Sequence, residues 1–190
     1  YAIWTAKTLA VTYDTQGGGS VTSGSTSTGG GISVSPGTPT RSGYSFNGWF
    51  VASSGGSAIR FPYTPTATSS FTLYAQWSAN TLTVSYDTQG GSTVVNGSVK
   101  TGANILVNPG TPTKSGFTFA GWFTASTGGS ALTFPYTHNQ TANFTLYGQW
   151  NVNTYTVTYR ANGATSGEVA ETTDTFTVGG PGRTLLTVGL

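Results

Sequence analysis

Short runs in which apolar and polar residues alternate recur along the chain. Leu9, Val11 and Tyr13 are spaced by Ala10 and Thr12; Leu82, Val84 and Tyr86 by Thr83 and Ser85; Tyr155, Val157 and Tyr159 by Thr156 and Thr158. Side chains two apart on an extended chain share a face, so each run predicts a strand with one apolar side. These strands run into Asp14–Gly18, Asp87–Gly91 and Ala161–Gly163, residue types that supply the positive φ of tight turns. A second strand is expected around Ile32 and Val34, and again around Ile105 and Val107. Pro-Gly-Thr-Pro-Thr follows in both places, Pro36–Thr40 and Pro109–Thr113, and ends the pairing because proline has no amide hydrogen to donate.

Next comes a dense aromatic segment, Gly43–Phe50 and Gly116–Phe123. Its Phe46, Trp49, Phe119 and Trp122 are expected at the centre of the core, with Tyr13 and Tyr86 beside them. Gly48 and Gly121 next to the tryptophans predict a bulge or a close backbone approach. After a Ser/Gly turn and Phe-Pro-Tyr (Phe61–Tyr63, Phe134–Tyr136), a last alternating run closes the series. It reads Phe71, Leu73, Ala75, Trp77 in one place and Phe144, Leu146, Gly148, Trp150 in the other.

The series is an internal repeat. Trp4, Trp77 and Trp150 fall at equal intervals, 77 − 4 and 150 − 77 both being 73. Thr5–Trp77 aligns with Ser78–Trp150 without a gap, and residues 151–190 begin a third copy that departs from the pattern. The expected organisation is residues 1–4 as the closing strand of a preceding copy, 5–77 and 78–150 as two repeat domains, and 151–190 as an incomplete third. Only Ser78–Asn80 and Asn151–Asn153 lie between copies. Three extended residues reach roughly 10 Å, which favours a rod over tethered beads.

Composition sharpens this picture. Charged residues are 6% of the chain, with seven Lys and Arg against five Asp and Glu. That is too sparse for a nucleic-acid surface, and no apolar run is long enough to cross a membrane as a helix. Glutamate occurs only at 168 and 171, and methionine is absent, so helix formers are scarce while Thr, Val and aromatics favour strand. Aromatics at 13% set the chain apart from disordered Gly/Ser-rich segments. With no cysteine there is no disulfide, thiolate metal site or cysteine nucleophile.

Three pieces taken together resemble a known family: the T-x-T-V-x-Y strand with its glycines, P-T-[RK]-x-G-[YF]-x-F-x-G-W-F, and F-T-L-Y-x-Q-W. The chain resembles the internalin-type B-repeat, or Listeria–Bacteroides repeat, of bacterial surface proteins. The resemblance covers both full copies and the start of the third. It implies a mainly β fold of small β-grasp-like domains in tandem with little or no helix, in secreted or cell-surface-attached proteins. It implies spacer, adhesive or assembly roles and no catalytic residues.

Candidate chemistry is thin by comparison. His138 is the lone histidine, aligns with Pro65, and is read as a solvent-facing loop residue rather than a base or ligand. Asp14 and Asp87 recur singly beside glycines, which suits turn stabilisation better than a calcium site with its several oxygens. Glu168, Glu171 and Asp174 approach one another only in the third copy. No lysine recurs, which argues against an intramolecular isopeptide bond, and no nucleophile elbow or phosphate loop is present. Asn96, Asn139 and Asn143 fit the glycosylation acceptor pattern.

The expectation is therefore a non-enzymatic structural or adhesive segment without catalytic residues, cofactor or metal. Its partners would be neighbouring repeats or identical chains, or a host or cell-wall glycan or protein. Trp77 and Trp150 are assigned to the core with the other periodic tryptophans. Tyr63 and Tyr136, beside prolines, are the candidate surface contacts. Tyr1, Ala2, Ile3 and Trp4 are a candidate assembly strand, able in principle to complete the third copy of another chain and so build a head-to-tail filament.

Overall fold

A computed structural model describes residues 1–159 and 172–180. Twelve strands and no helix occur among them: β1 (Thr8–Asp14), β2 (Gly24–Ser27), β3 (Tyr44–Phe50), β4 (Phe71–Ala79), β5 (Thr81–Asp87), β6 (Gly97–Lys100), β7 (Asn104–Ile105), β8 (Phe117–Phe123), β9 (Tyr136–Thr137), β10 (Phe144–Val152), β11 (Thr154–Tyr159) and β12 (Thr172–Thr177). The fold is mainly β and built of tandem repeats. By compactness the chain divides into one unit of 1–83, 98–105 and 137–144, and another of 84–97, 106–136 and 145–190.

The first sheet has the order β2-β1-β4-β3. Its central pair is parallel, with Val11 opposite Phe71 and Asp14 opposite Tyr74, and both outer pairs are antiparallel. The second sheet repeats the order as β6-β5-β10-β8. Parallel neighbours need a crossover, and here the connection from β1 to β4 runs through β2, β3 and their loops instead of a helix. The alternation of β1 does what period two requires: Leu9 and Val11 are buried, Thr8, Ala10 and Thr12 exposed.

The second strand lies earlier than expected. It is Gly24–Ser27 and Gly97–Lys100, whose inward residues are Thr26 and Val99. An edge strand of four residues needs only one inward side chain, so its apolar signal is weak. Thr26 is accommodated because its hydroxyl donates to Gly31 O at 3.3 Å. Ile32 makes only an isolated bridge to Tyr63, Ile105 sits in the two-residue β7, and Val34 and Val107 are exposed. The turns after β1 and β5 do hold positive φ, at Gln16 and Gly17 and at Gln89 and Gly90. They open into longer loops and not into tight hairpins.

The expected bulges are present. The β3/β4 register shifts between Phe46 and Gly48, and the β8/β10 register shifts at the corresponding place. Gly48 and Gly121 sit there at φ +123° and +133°, values that L side chains rarely adopt. The extra residue turns Trp49 and Trp122 fully inward; they are 2% and 1% exposed.

The segments between copies are not free linkers. β4 continues to Ala79 and β5 begins at Thr81. Asn80 between them donates its amide to Gly43 O at 2.9 Å and accepts from Thr101 N at 3.0 Å. Asn153 likewise donates to Gly116 O at 2.9 Å. After Asn153, β11 pairs with β12 as an antiparallel hairpin, Thr154 standing opposite Thr177. Arg160, Ala161–Gly163, Glu168, Glu171 and residues 181–190 lie outside the described residues. Asp174 is opposite Val157 in this hairpin.

Candidate functional site

Four rings form an edge-to-face ladder across each sheet. In the first copy Tyr13 meets Trp49 at 5.0 Å, Trp49 meets Phe46 at 5.7 Å, and Phe46 meets Trp77 at 5.4 Å. The second copy repeats it through Tyr86, Trp122, Phe119 and Trp150 at 5.1, 5.5 and 5.2 Å. Edge-to-face contacts of this kind add to the stabilisation from burial alone. The buried indoles also find acceptors, Trp49 Nε1 donating to Gly37 O at 3.1 Å and Trp122 Nε1 to Gly110 O at 2.9 Å. These bonds hold the Pro-Gly-Thr-Pro-Thr loops against the core.

Trp77 and Trp150 end the ladder differently. Each is only half-buried. Their Nε1 atoms donate to Thr15 O at 2.9 Å and Thr88 O at 2.8 Å, and Gly18 and Gly91 pack against one side of the indole. The remaining edge lines a shallow open cleft. In the first copy the cleft is shared with Gln16, Arg41, Ser53, Gly55 and Gln76. In the second copy the aligned residues return: Gln89, Lys114, Ser126, Gly128 and Gln149.

The cleft walls are hydrogen-bonded into place. Gln76 Nε2 donates to Ala52 O and Gly55 O at 3.1 and 2.8 Å, and Gln149 Nε2 to Ala125 O and Gly128 O at 3.0 and 2.7 Å. Gln16 Nε2 reaches Ser53 O at 2.9 Å, and Gln89 Nε2 reaches Ser126 O at 2.8 Å. The recurring aspartates set these glutamines: Asp14 and Asp87 each accept the amide of Gln16 or Gln89 at 2.9 Å. The cations are partly buried on aromatic faces. The Arg41 guanidinium lies 4.0 Å from the Tyr44 ring centre, and Lys114 Nζ lies 4.5 Å from that of Phe117 while donating to Gln89 O at 2.9 Å.

The other candidates fall elsewhere. Tyr63 and Tyr136 are half-buried, with Tyr63 bridged to Ile32 and Tyr136 in β9. Tyr1, Ile3 and Trp4 are exposed, and Tyr1–Trp4 forms no strand. His138 corrects its solvent-facing assignment: it is 5% exposed, its ring lies 5.1 Å from Phe144, and its Nδ1 accepts Gln140 N–H at 3.1 Å. Pro65, its counterpart, is also buried, so the position belongs to the packed margin of the sheet whichever residue fills it. Among the described residues no three of His, Cys, Asp and Glu group as metal ligands would. The glutamines of the cleft escaped sequence reasoning. Their only signal was recurrence at both copies, which polar loop residues share with the turns around them.

Known proteins carry the same pattern. A family model described as the Listeria-Bacteroides repeat domain matches residues 10–76 and 83–149. The chain is 37% identical over 118 residues to internalin H of Listeria monocytogenes, covering 62% of this chain and 21% of that protein. It is 32% identical over 163 residues to an Evansella cellulosilytica protein described as a Gly-rich membrane protein, covering 86% of this chain and 18% of that protein. The chain thus spans about a fifth of the length of either relative. No solved structure matches it.

Proposed function

The chain belongs to the Listeria–Bacteroides repeat family, and from that premise we propose that it is a non-enzymatic, load-bearing segment of a bacterial cell-surface protein. One observation supports this reading most directly. In the first copy, the first and last strands, β1 and β4, are parallel neighbours at the centre of the sheet. Tension enters a repeat at the start of its first strand and leaves at the end of its last. It therefore loads the bonds between β1 and β4 in shear, all together, instead of peeling them one at a time. The one-residue junctions at Asn80 and Asn153, with their amides bonded to Gly43 and Gly116, pass that load on without slack. A cell-surface placement is supported by the Evansella relative, which is described as a Gly-rich membrane protein.

Stretching single chains held at their two ends tests the proposal. Each full copy should open in one step that releases roughly 25 nm of contour, since about 73 residues extend at up to 3.6 Å each. Two such steps of similar force are expected. Smooth extension without discrete steps, or many small steps at low force, would refute a load-bearing role.

A further inference from the structure

We propose that the cleft beside Trp77, and its counterpart beside Trp150, each bind one carboxylate-bearing sugar ring of an acidic polysaccharide. This goes beyond the mechanical reading and does not depend on it.

Recurrence is the first reason. Among all charged residues in the two full copies, only Asp14/Asp87 and Arg41/Lys114 occupy the same position twice. The aspartates are spent on the turn, each holding a backbone amide. The cations share one packing role, each lying over the aligned ring, Arg41 on Tyr44 and Lys114 on Phe117, and beside the aligned turn glycine, Gly17 or Gly90, with Lys114 also donating to Gln89 O. That role does not use up the charge, which still faces the cleft. What recurs is a positive charge at the lip of a cleft beside a half-exposed indole. A cation beside an aromatic ring suits a carboxylate carried on a ring with an apolar C–H face: the face stacks on the indole while the carboxylate meets the charge.

Preorganisation is the second. Four glutamine side chains pin the loop carbonyls of residues 52–55 and 125–128. Binding therefore orders little, and the clefts are small, about 240 and 300 Å³, at the low end for small-molecule sites. The same bonds disfavour a peptide. Extended peptides are held by unpaired main-chain groups at a sheet edge, whereas Ala52, Ser53 and Gly55 O already accept from glutamine and Thr15 O from Trp77. The groups left to a ligand are the ring, the cation and the Ser53 or Ser126 hydroxyl.

The test is an NMR titration of the whole chain that follows its five tryptophan indole N–H signals. The probes are a galacturonate trimer, maltotriose as the neutral control, and hexaglutamate. The galacturonate trimer should shift the Trp77 and Trp150 signals saturably and leave Trp49 and Trp122 in place, with maltotriose at least tenfold weaker. R41Q should abolish the Trp77 response and spare that of Trp150, K114Q the reverse. R60Q and K100Q, each removing one positive charge elsewhere, should change neither, alone or together. Absence of a saturable shift with galacturonate overturns the proposal. So does equal weakening by R60Q or K100Q, which would mean net charge alone, or tighter binding of hexaglutamate, which would mean a peptide surface.

Discussion

Replacing Gly121 by alanine isolates what the bulge contributes. Gly121 sits at φ +133°, and a Cβ there would stand 2.9 Å from Ala131 Cβ and 3.7 Å from Phe123 Cε2. Two costs follow. The backbone strain is about 1–3 kcal/mol for a non-glycine residue in that region. Overpacking adds about 1–3 kcal/mol, because the segment carrying Ala131 cannot retreat freely: Leu132 N is bonded to Trp122 O at 2.7 Å. Alanine recovers about 0.4–1 kcal/mol by restricting the unfolded chain. The net loss expected is about 1–5.5 kcal/mol, a large share of the roughly 4–11 kcal/mol that a unit of this size holds. Native-state hydrogen exchange on the full chain is the assay, since it reports β8 and β10 apart from β3 and β4. Amides of β8 and β10 should lose protection by the corresponding factor. Adding Ala131→Gly removes the clash and leaves the strain, so it should restore about 1–3 kcal/mol and not the whole loss. A Gly121→Ala change within 0.5 kcal/mol of neutral would refute the reasoning. Full rescue by Ala131→Gly would show that the φ itself carries no strain.

Burial pushes the Tyr13 and Tyr86 phenols above their ordinary value near 10. The folded state thus prefers the neutral ring, so this contribution is complete below pH ~10 and is lost as pH rises through the raised values. Urea midpoints should hold steady to about pH 10 and then fall, with Tyr13→Phe and Tyr86→Phe removing part of the fall; a midpoint unchanged to pH 12 contradicts this. For His138, replacement by alanine should cost about 1–2 kcal/mol, from the lost packing on Phe144 and the lost acceptor for Gln140 N–H. The neighbouring exposed Asn139→Ala should stay within about 0.5 kcal/mol, and thermal melts giving equal effects for the two would place His138 at the surface after all.

Much of the fold was legible in the sequence, for identifiable reasons. The first and last strands of each copy have strong period-two patterns because both are central in the sheet and must bury one face completely; Leu9, Val11, Leu73 and Ala75 are all at 0–1% exposure. The bulge was legible because glycine beside an inward tryptophan has few other uses. The edge strand was not, since one inward residue makes no period, and Thr26 disguises even that one. Ile32 and Val34 imitated a strand, yet Ile32 is held by a single bridge to Tyr63. His138 was misplaced because a polar side chain in a loop reads as exposed. Only the coordinates reveal that its Nδ1 satisfies a backbone amide and its ring covers Phe144. Trp77 and Trp150 share the spacing of the buried tryptophans, and periodicity cannot report that one edge of the ring faces out.

The load path and the cleft meet at one bond in each copy. Trp77 lies at the far end of β4, and its Nε1 reaches Thr15 O, just past the end of β1. Trp150 makes the same reach to Thr88 O. A ring that staples the first strand to the last must keep its polar edge inward, against the turn, and this leaves its other edge facing the open cleft. The half-exposure of the indole is thus a consequence of stapling and would exist in a repeat that binds nothing. Stapling does not explain the cation. The carbonyls of Arg41 and Lys114 accept from Tyr44 N and Phe117 N at the starts of β3 and β8, but neither side chain bonds to Thr15 or Thr88, and both line the cleft beside the exposed edge. For that reason R41Q and K114Q, and not substitutions of the tryptophans, separate a segment that only carries load from one that also grips a polymer.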